Sequence, residues 1–292
     1  MEYKIKDRKG NIIPNGMNQK GLLDILYKTI GGNIALKGLT SPVVSKAAGV
    51  FCNSALSMKM IPAFIKSAKL DLTEYESGFY GSFNDFFTRK IKPEARPIDM
   101  NPKTVVSPCD SKLTVYKIDK DSIFEIKGVS YHLDEFLRCG KLASKYENGY
   151  FCIFRLEVSD YHRYIYFDNG SKSKNYHING FYHTVNPIAL EKANIYKENT
   201  REFTVLHTEN FGDVIHAEVG AMLVGRIKNH HQKHSFKRGD EKGMFEYGGS
   251  TVVLIFKKDM VEFDEDIIKN TADGFETIVK MGEKIGRKKE SK

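Results

Sequence analysis

Glu246-Tyr247-Gly248-Gly249-Ser250-Thr251-Val252-Val253-Leu254-Ile255-Phe256 is the stretch on which the reading turns. Its second half is an unbroken apolar run rich in β-branched residues, the pattern of a buried strand. Gly248, Gly249 and Ser250 stand at the mouth of that strand. Glycine permits a bent backbone and leaves the preceding carbonyl unshielded, so a serine hydroxyl can approach it closely. Two readings stay open from these residues alone. One is a tight turn leading into a strand. The other is an N-to-O acyl shift, in which Ser250 Oγ attacks the Gly249 carbonyl to give an ester. Elimination of that ester and loss of ammonia would then leave a pyruvoyl group where Ser250 was.

Outward from this strand the texture stays β-rich from Thr104 to Phe263. Short runs cover Lys112 to Ile118, Phe151 to Leu156, His162 to Phe167, Phe203 to His207 and Val214 to Val224, separated by Gly, Asn and Asp. They predict a mostly antiparallel, barrel-like or sandwich β domain without tandem repeats. Upstream, residues 20 to 70 carry helical spacing at Leu22, Leu23, Ile25, Leu26 and Ile30, and again at Val43, Val44, Ala47, Ala48 and Val50. Gly31-Gly32 and Pro42 break this region into short helices. Phe51 to Lys69 mixes apolar residues with lysines and almost no acids, which suits an interfacial amphipathic helix and equally a helix packed on the β domain. Ser82 reads as the N-cap of a short helix presenting Phe83, Phe86 and Phe87 on one face. The fold class expected is α+β, with an N-terminal helical, basic region over 1–75 and a β domain over 76–292. The tail from Lys280 to Lys292 is expected to be a frayed, solvated end.

The composition is that of a folded chain, with 292 residues, 41% of them hydrophobic and 28% charged. A formal charge of +8 favours an anionic partner without choosing among nucleic acid, acidic metabolite and lipid surface. Cys52, Cys109, Cys139 and Cys152 are scattered and form no disulfide framework, as expected of reduced thiols in a cytosolic protein. The charged residues Met1 to Lys9 do not resemble a secretory leader. Lysines interrupt every apolar run short of a bilayer span, so membrane contact is expected to be peripheral. His230, His231 and His234 lack the carboxylate or cysteine partners of a metal site and read as a solvated loop.

Several blocks resemble the phosphatidylserine decarboxylase family. Ser82-Phe83-Asn84-Asp85-Phe86-Phe87-Thr88-Arg89-Lys90, then Lys92-Pro93 and Ala95-Arg96-Pro97-Ile98, look like its S-F-N-D-F-F-T-R-K…K-P…A-R-P-I signature. Ser107-Pro108-Cys109-Asp110-Ser111 resembles S-P-A-D-G, Asp160-Tyr161-His162-Arg163 matches D-Y-H-R, and His183-Thr184-Val185-Asn186-Pro187 matches H-T-V-N-P. Val219 to Gly225 and the approach from Lys237 to Gly243 follow in family order, and Gly249-Ser250 takes the place of the processing site.

The resemblance implies a proenzyme that cleaves itself at Gly249–Ser250 into a β chain, 1–249, and an α chain, 250–292, bearing a covalent pyruvoyl cofactor derived from Ser250. It implies decarboxylation of phosphatidylserine to phosphatidylethanolamine through a Schiff base, with no metal and no nucleic-acid partner. Asp110, a histidine of the D-Y-H-R region and Ser250 would form a charge-relay set for cleavage. His162 would position or protonate the substrate during decarboxylation. Many members carry a second histidine where this chain has Ile165. Three alternatives stay open: His162 serves both steps, His183 reaches the site as a base or substrate-binding residue, or cleavage relies on strain. Ser111, where the family has glycine, bears on the loop at Asp110. The implied location is the cytoplasmic face of the cell membrane, held peripherally by its anionic surface, as an α/β heterodimer with homo-oligomerisation left open. The competing reading is an uncleaved, non-catalytic membrane-associated protein of the same fold.

Overall fold

The computed structural model describes residues 4–14, 49–180, 199–220, 226–246 and 250–290. Seven strands build the middle of the largest sheet: β1 (Lys4–Lys6), β2 (Ser111–Lys117), β3 (Tyr150–Leu156), β5 (Arg201–Thr208), β6 (Gly212–Val219), β9 (Ser250–Phe256) and β10 (Phe275–Val279). Their spatial order is β5-β6-β9-β3-β2-β10-β1, antiparallel throughout except where β1 runs parallel to β10. A second sheet joins β4 (Arg163–Ile165), β7 (Arg226–Asn229) and β8 (Glu241–Glu246). A third pairs β11 (Lys284–Lys288) with Val261–Phe263 and Thr104–Val106.

The unbroken apolar run of β9 has a physical cause: every residue of the strand is buried, because both faces of the sheet are covered. Paired residues share a face and successive residues alternate. Val252, Leu254 and Phe256 therefore join Phe154, Leu113 and Val214 in one core, which Tyr164 and Phe245 of the second sheet close. Val253 and Ile255 join Ile153, Phe151 and Ile215 in the other, covered by Phe136 and Leu137 of a short helix, Leu133–Leu137. At about 25 cal/mol per Å² of apolar surface, each of these large side chains contributes roughly 1.5–3 kcal/mol when fully buried.

Three expectations change on this scaffold. The large sheet is open, not closed into a barrel; its described ends are the short strands Ile12–Ile13 and His234–Phe236. The N-terminal region is not wholly helical, since Lys4–Lys6 is a strand of the main sheet. Ile5 is buried in it, and Lys6 Nζ lies 4.0 Å from the centre of the Phe275 ring, an alternation too short to stand out in sequence. The helices expected over 20–48 lie outside the described residues, while Ala55–Met60 and α1 (Ile61–Ala68) are helical. The tail is paired, not frayed. Ile285 and Gly286 are buried in β11, where a side chain at Gly286 would meet the Glu262 carbonyl at 2.6 Å. The flanking bases face acids, Lys284 with Asp264 at 2.6 Å and Arg287 with Glu262 at 2.8 Å.

The helix announced by Ser82 forms as α2 (Phe83–Phe87), with the Ser82 hydroxyl accepting from Asp85 N at 3.1 Å and Phe83, Phe86 and Phe87 buried. Phe64 of α1 docks on it edge-on, 5.3 Å from Phe83.

Candidate active site

Asp110, His162 and Ser250 come from separate parts of the chain to one end of the main sheet. Asp110 immediately precedes β2, Ser250 opens β9, and His162 follows the turn that leaves β3. The register explains the convergence: Ser250 pairs with Leu156, and Lys112 with Arg155, so the start of β2, the end of β3 and the start of β9 form one row. All three residues are buried. Gly249 and His183 lie outside the described residues.

Asp110 is held by cations. Arg96 donates to it through Nε at 2.9 and 3.1 Å and through an Nη at 2.7 Å; Met281 N adds a bond at 2.8 Å, and Lys280 Nζ stands 3.4 Å away. Burial pushes this carboxyl up, but the hydrogen bonds from Arg96 and the charges of Lys280 and Arg96 outweigh it and hold it below the usual value. Among the described residues no histidine bonds to it. Arg96 and Asp110 side chains are 5% and 2% exposed, so solvent screens this pair little. Arg96→Met is expected to destabilise the chain by about 3–5 kcal/mol, because it strands a buried carboxylate. Urea unfolding beside Arg96→Met/Asp110→Asn checks this: the double variant, with no stranded charge, should recover part of the loss.

Ile165 stands beside the same loop, its amide donating to the Pro108 carbonyl at 2.9 Å. Its side chain packs with Tyr75, Ile91, Tyr161 and Met281 and lines a cavity of about 440 Å³ that also meets Arg96 and Glu241. The position that lacks a histidine is thus filled by apolar packing next to Asp110.

His162 is fixed from both sides. Its carbonyl accepts from Phe245 N at 2.9 Å, and its ring lies 4.1 Å from that of Phe87. Arg163 ties the same segment to α2 through the Thr88 carbonyl, at 2.8 and 2.6 Å, and to Glu241 at 2.8 Å. Neither ring nitrogen of His162 has a hydrogen-bond partner of full geometry among the described residues. Burial, with the charge of Arg89, pushes the imidazole down to about 3; the Asp160 backbone offsets this in part, while Lys127 and Lys112 add to it. The ring is therefore neutral near neutral pH and surrounded by cations.

Reasoning from the sequence missed two groups at this end of the sheet. On the face opposite Ser250's side chain, Thr251, Arg155, Thr114 and Tyr116 line a cavity of about 210 Å³ with Lys127 and Glu276. Burial and the neighbouring Arg155 push Lys127 down to about 7. On Ser250's own face, His216, Glu218 and Lys242 are fully buried. Lys242 Nζ donates to Glu218, Asn229 donates to Glu218 at 3.0 Å, and His216 Nε2 lies 3.3 Å from Glu218. His-x-Glu within the otherwise apolar run from Val214 to Val219 was the available signal, since alternate residues share a face.

Comparison with known proteins establishes the family of the chain. The sequence profile of the family described as phosphatidylserine decarboxylase matches residues 83–287. Phosphatidylserine decarboxylase proenzyme 2 of Clostridium acetobutylicum is 49% identical over 269 residues, 92% of each chain. A phosphatidylserine decarboxylase proenzyme of Clostridium botulinum, strain Langeland, is 43% identical over 99% of this chain and 100% of its own. That of Ruminiclostridium cellulolyticum is 43% identical over 91% of this chain and 90% of its own. The chain spans nearly the whole length of these relatives and belongs to the phosphatidylserine decarboxylase family of enzymes.

Proposed function

We propose that the chain is a proenzyme that cleaves itself between Gly249 and Ser250 and then decarboxylates phosphatidylserine to phosphatidylethanolamine. Ser250 Oγ loses its proton and attacks the Gly249 carbonyl; the C–N bond breaks, the Ser250 nitrogen takes a proton, and an ester joins the two residues. Loss of the Ser250 Cα proton expels Gly249 as a carboxylate and leaves a dehydroalanine. Its imine tautomer adds water and releases ammonia, which leaves a pyruvoyl ketone on the new chain. The pyruvoyl group supplies a carbonyl that takes the substrate amine and an electron sink for the breaking carboxylate bond.

The observation that supports this reading is the register that brings Ser250 and Lys112, two residues past Asp110, to the same end of the sheet, with buried His162 just beyond the end of β3. The residues fit such a group: Ser250 is 1% exposed, which shields a ketone at that position from bulk water. The neutral His162 ring can donate a hydrogen bond that positions the substrate carboxylate. Arg89 and Lys127 near it favour an anionic head group. The test is an assay on phosphatidylserine in mixed micelles. Phosphatidylethanolamine and carbon dioxide should appear in equal amounts, and hydroxylamine, which captures ketones, should stop the reaction. Activity on free serine but not on the lipid would refute the substrate assignment.

The lipid is reached, on this reading, from an anionic membrane surface. Lys59, Lys66 and Lys69 are exposed, alongside Leu56 (67% exposed) and Met60 (42%), while Phe64 anchors the same helical segment to α2. No helix among the described residues is long and apolar enough to cross a membrane. Reversing the charge of Lys59, Lys66 and Lys69 together is expected to weaken binding to vesicles containing phosphatidylserine by roughly 100-fold or more at low salt. Sedimentation with the vesicles measures it, and unchanged binding would remove this surface from the account.

A further inference from the structure

Lys127 holds its place near the Ser250 end of the sheet at a conformational cost. With Gly128 it forms the two-residue turn between the strands Phe124–Ile126 and Val129–Tyr131, and both turn residues have positive φ, 53° and 73°. Such a turn suits asparagine or aspartate before glycine, so a lysine at its first position is strained. The hairpin is fixed on the face of the main sheet opposite the Ser250 side chain: Phe124 stacks on Phe151 of β3 at 4.0 Å, and Ile126 shares a core with Ile153. Phe151, Ile153 and Arg155 follow one another on that face of β3, and Arg155 stands opposite Thr251. The hairpin therefore leads to Arg155, and Lys127, Arg155 and Thr251 line the same cavity of about 210 Å³. Arg155 donates to both carboxylate oxygens of Glu276, at 2.7 and 2.5 Å, which holds its guanidinium in position. Two cations brought to one small polar space repel each other, and an anion between them removes the repulsion.

We propose that Lys127, backed by Arg155, holds the phosphodiester group of phosphatidylserine. The inference rests on the decarboxylase reading above and names the residue that reads the phosphate of the head group. Thr251 lines the cavity, so the space begins one residue, about 3.8 Å along the backbone, from position 250. In the substrate only two carbons and an oxygen link the reacting amine to the phosphorus, a span that one head group covers. The charge of Lys127 is also felt at the His162 ring, which places the cavity beside the rest of the site. A lysine suits the task because its ammonium is a point charge on a flexible stem and meets a phosphate oxygen without a fixed fork geometry. Burial and Arg155 push the amine down to about 7, so the ammonium that binds the anion is present below that pH and is lost above it. The charged and titratable groups facing Lys127 are Arg155 on β3, Glu276 on β10, Tyr116 on β2, Lys4 on β1, Glu125 on its own hairpin and His162.

The experiment is steady-state decarboxylation of a short-chain phosphatidylserine by wild type, Lys127→Asn and Lys127→Arg, each checked for cleavage by intact mass. Asparagine suits the turn, so Lys127→Asn should unfold no earlier than the wild type on heating while losing the cation. Its KM should rise about 10–100-fold, the range for one hydrogen bond to a charged group, with kcat within a few-fold of wild type. Lys127→Arg should keep KM near the wild-type value at pH 7. Above pH 7 the wild-type KM should rise relative to that of Lys127→Arg by up to about tenfold per pH unit, because arginine keeps its proton. Glycerophosphoserine should compete with the lipid in the wild type and about 10–100-fold less well in Lys127→Asn. Unchanged KM in Lys127→Asn, a loss confined to kcat, or parallel pH profiles would overturn the inference and leave the decarboxylase reading standing. Stronger competition by inorganic phosphate than by glycerophosphoserine would also overturn it, by assigning the cavity to free phosphate. A Lys127→Asn chain that stays uncleaved would overturn it by giving Lys127 to processing. A wild type inactive on phosphatidylserine would overturn the decarboxylase reading and this inference with it.

Discussion

Ser250→Ala is expected to remain one intact chain of 33.3 kDa, while the wild type separates under denaturing conditions into residues 1–249 and a pyruvoyl-bearing 250–292. Alanine has no oxygen to attack the Gly249 carbonyl and no leaving group for the elimination that follows, so cleavage and decarboxylation are lost together. The fold should survive. Ser250 sits at the first position of a strand whose residues are all buried, and a small residue there keeps the pairing with Leu156. Mass spectrometry of the two proteins, with circular dichroism as the control for folding, decides it. Two fragments from Ser250→Ala would place the cleavage elsewhere; one chain from both would favour a non-catalytic protein of the same fold.

His162→Gln separates the two reactions that the wild type combines. If His162 acts only on the substrate, cleavage should proceed and decarboxylation should fall by about 10²–10⁴, the range for a lost general acid or base; if it serves both steps, the chain should stay uncleaved. The same side chain predicts a stability effect of known sign. The folded chain holds His162 neutral down to about 3, while an unfolded histidine takes a proton near 6.5. Between those values the unfolded state binds the extra proton, so stability is full above about pH 6.5 and falls as the pH drops toward 3, at up to about 1.4 kcal/mol per pH unit. In an uncleaved Ser250→Ala background, urea unfolding at several pH values should show a shallower acid loss when His162→Gln is added. Equal slopes would mean that His162 is protonated in the folded chain.

How far the sequence reaches can be seen residue by residue. The Ser82 cap and the three phenylalanines of α2 were legible because capping and helical spacing are local rules. The strand 250–256 was legible because residues buried on both faces of a sheet leave an unbroken apolar run. Lys4–Lys6 and Lys284–Lys288 were not: each buries only one or two residues among lysines, and pairing with a distant strand, which local pattern does not report, makes them β. That the large sheet stays open at its edges was equally invisible, since closure depends on strand order.

For the site, the sequence by itself determined the chemistry on offer: a serine after two glycines, an aspartate and a histidine in family-like blocks, and an isoleucine where a base is usual. Tertiary structure decided the partnerships. It gave Asp110 to Arg96 and Lys280, pressed the His162 ring against Phe87, and put Glu218 and Lys242 in the same dry layer as Ser250. The physical reason is that a residue's type sets what it can donate or accept, whereas burial and register set how strongly it does so and to whom. Arg96 and Asp110 are close enough in sequence to be suspected as a pair. Glu218 reaches Lys242 only because β6 and β8 lie in two sheets that pack face to face across one core.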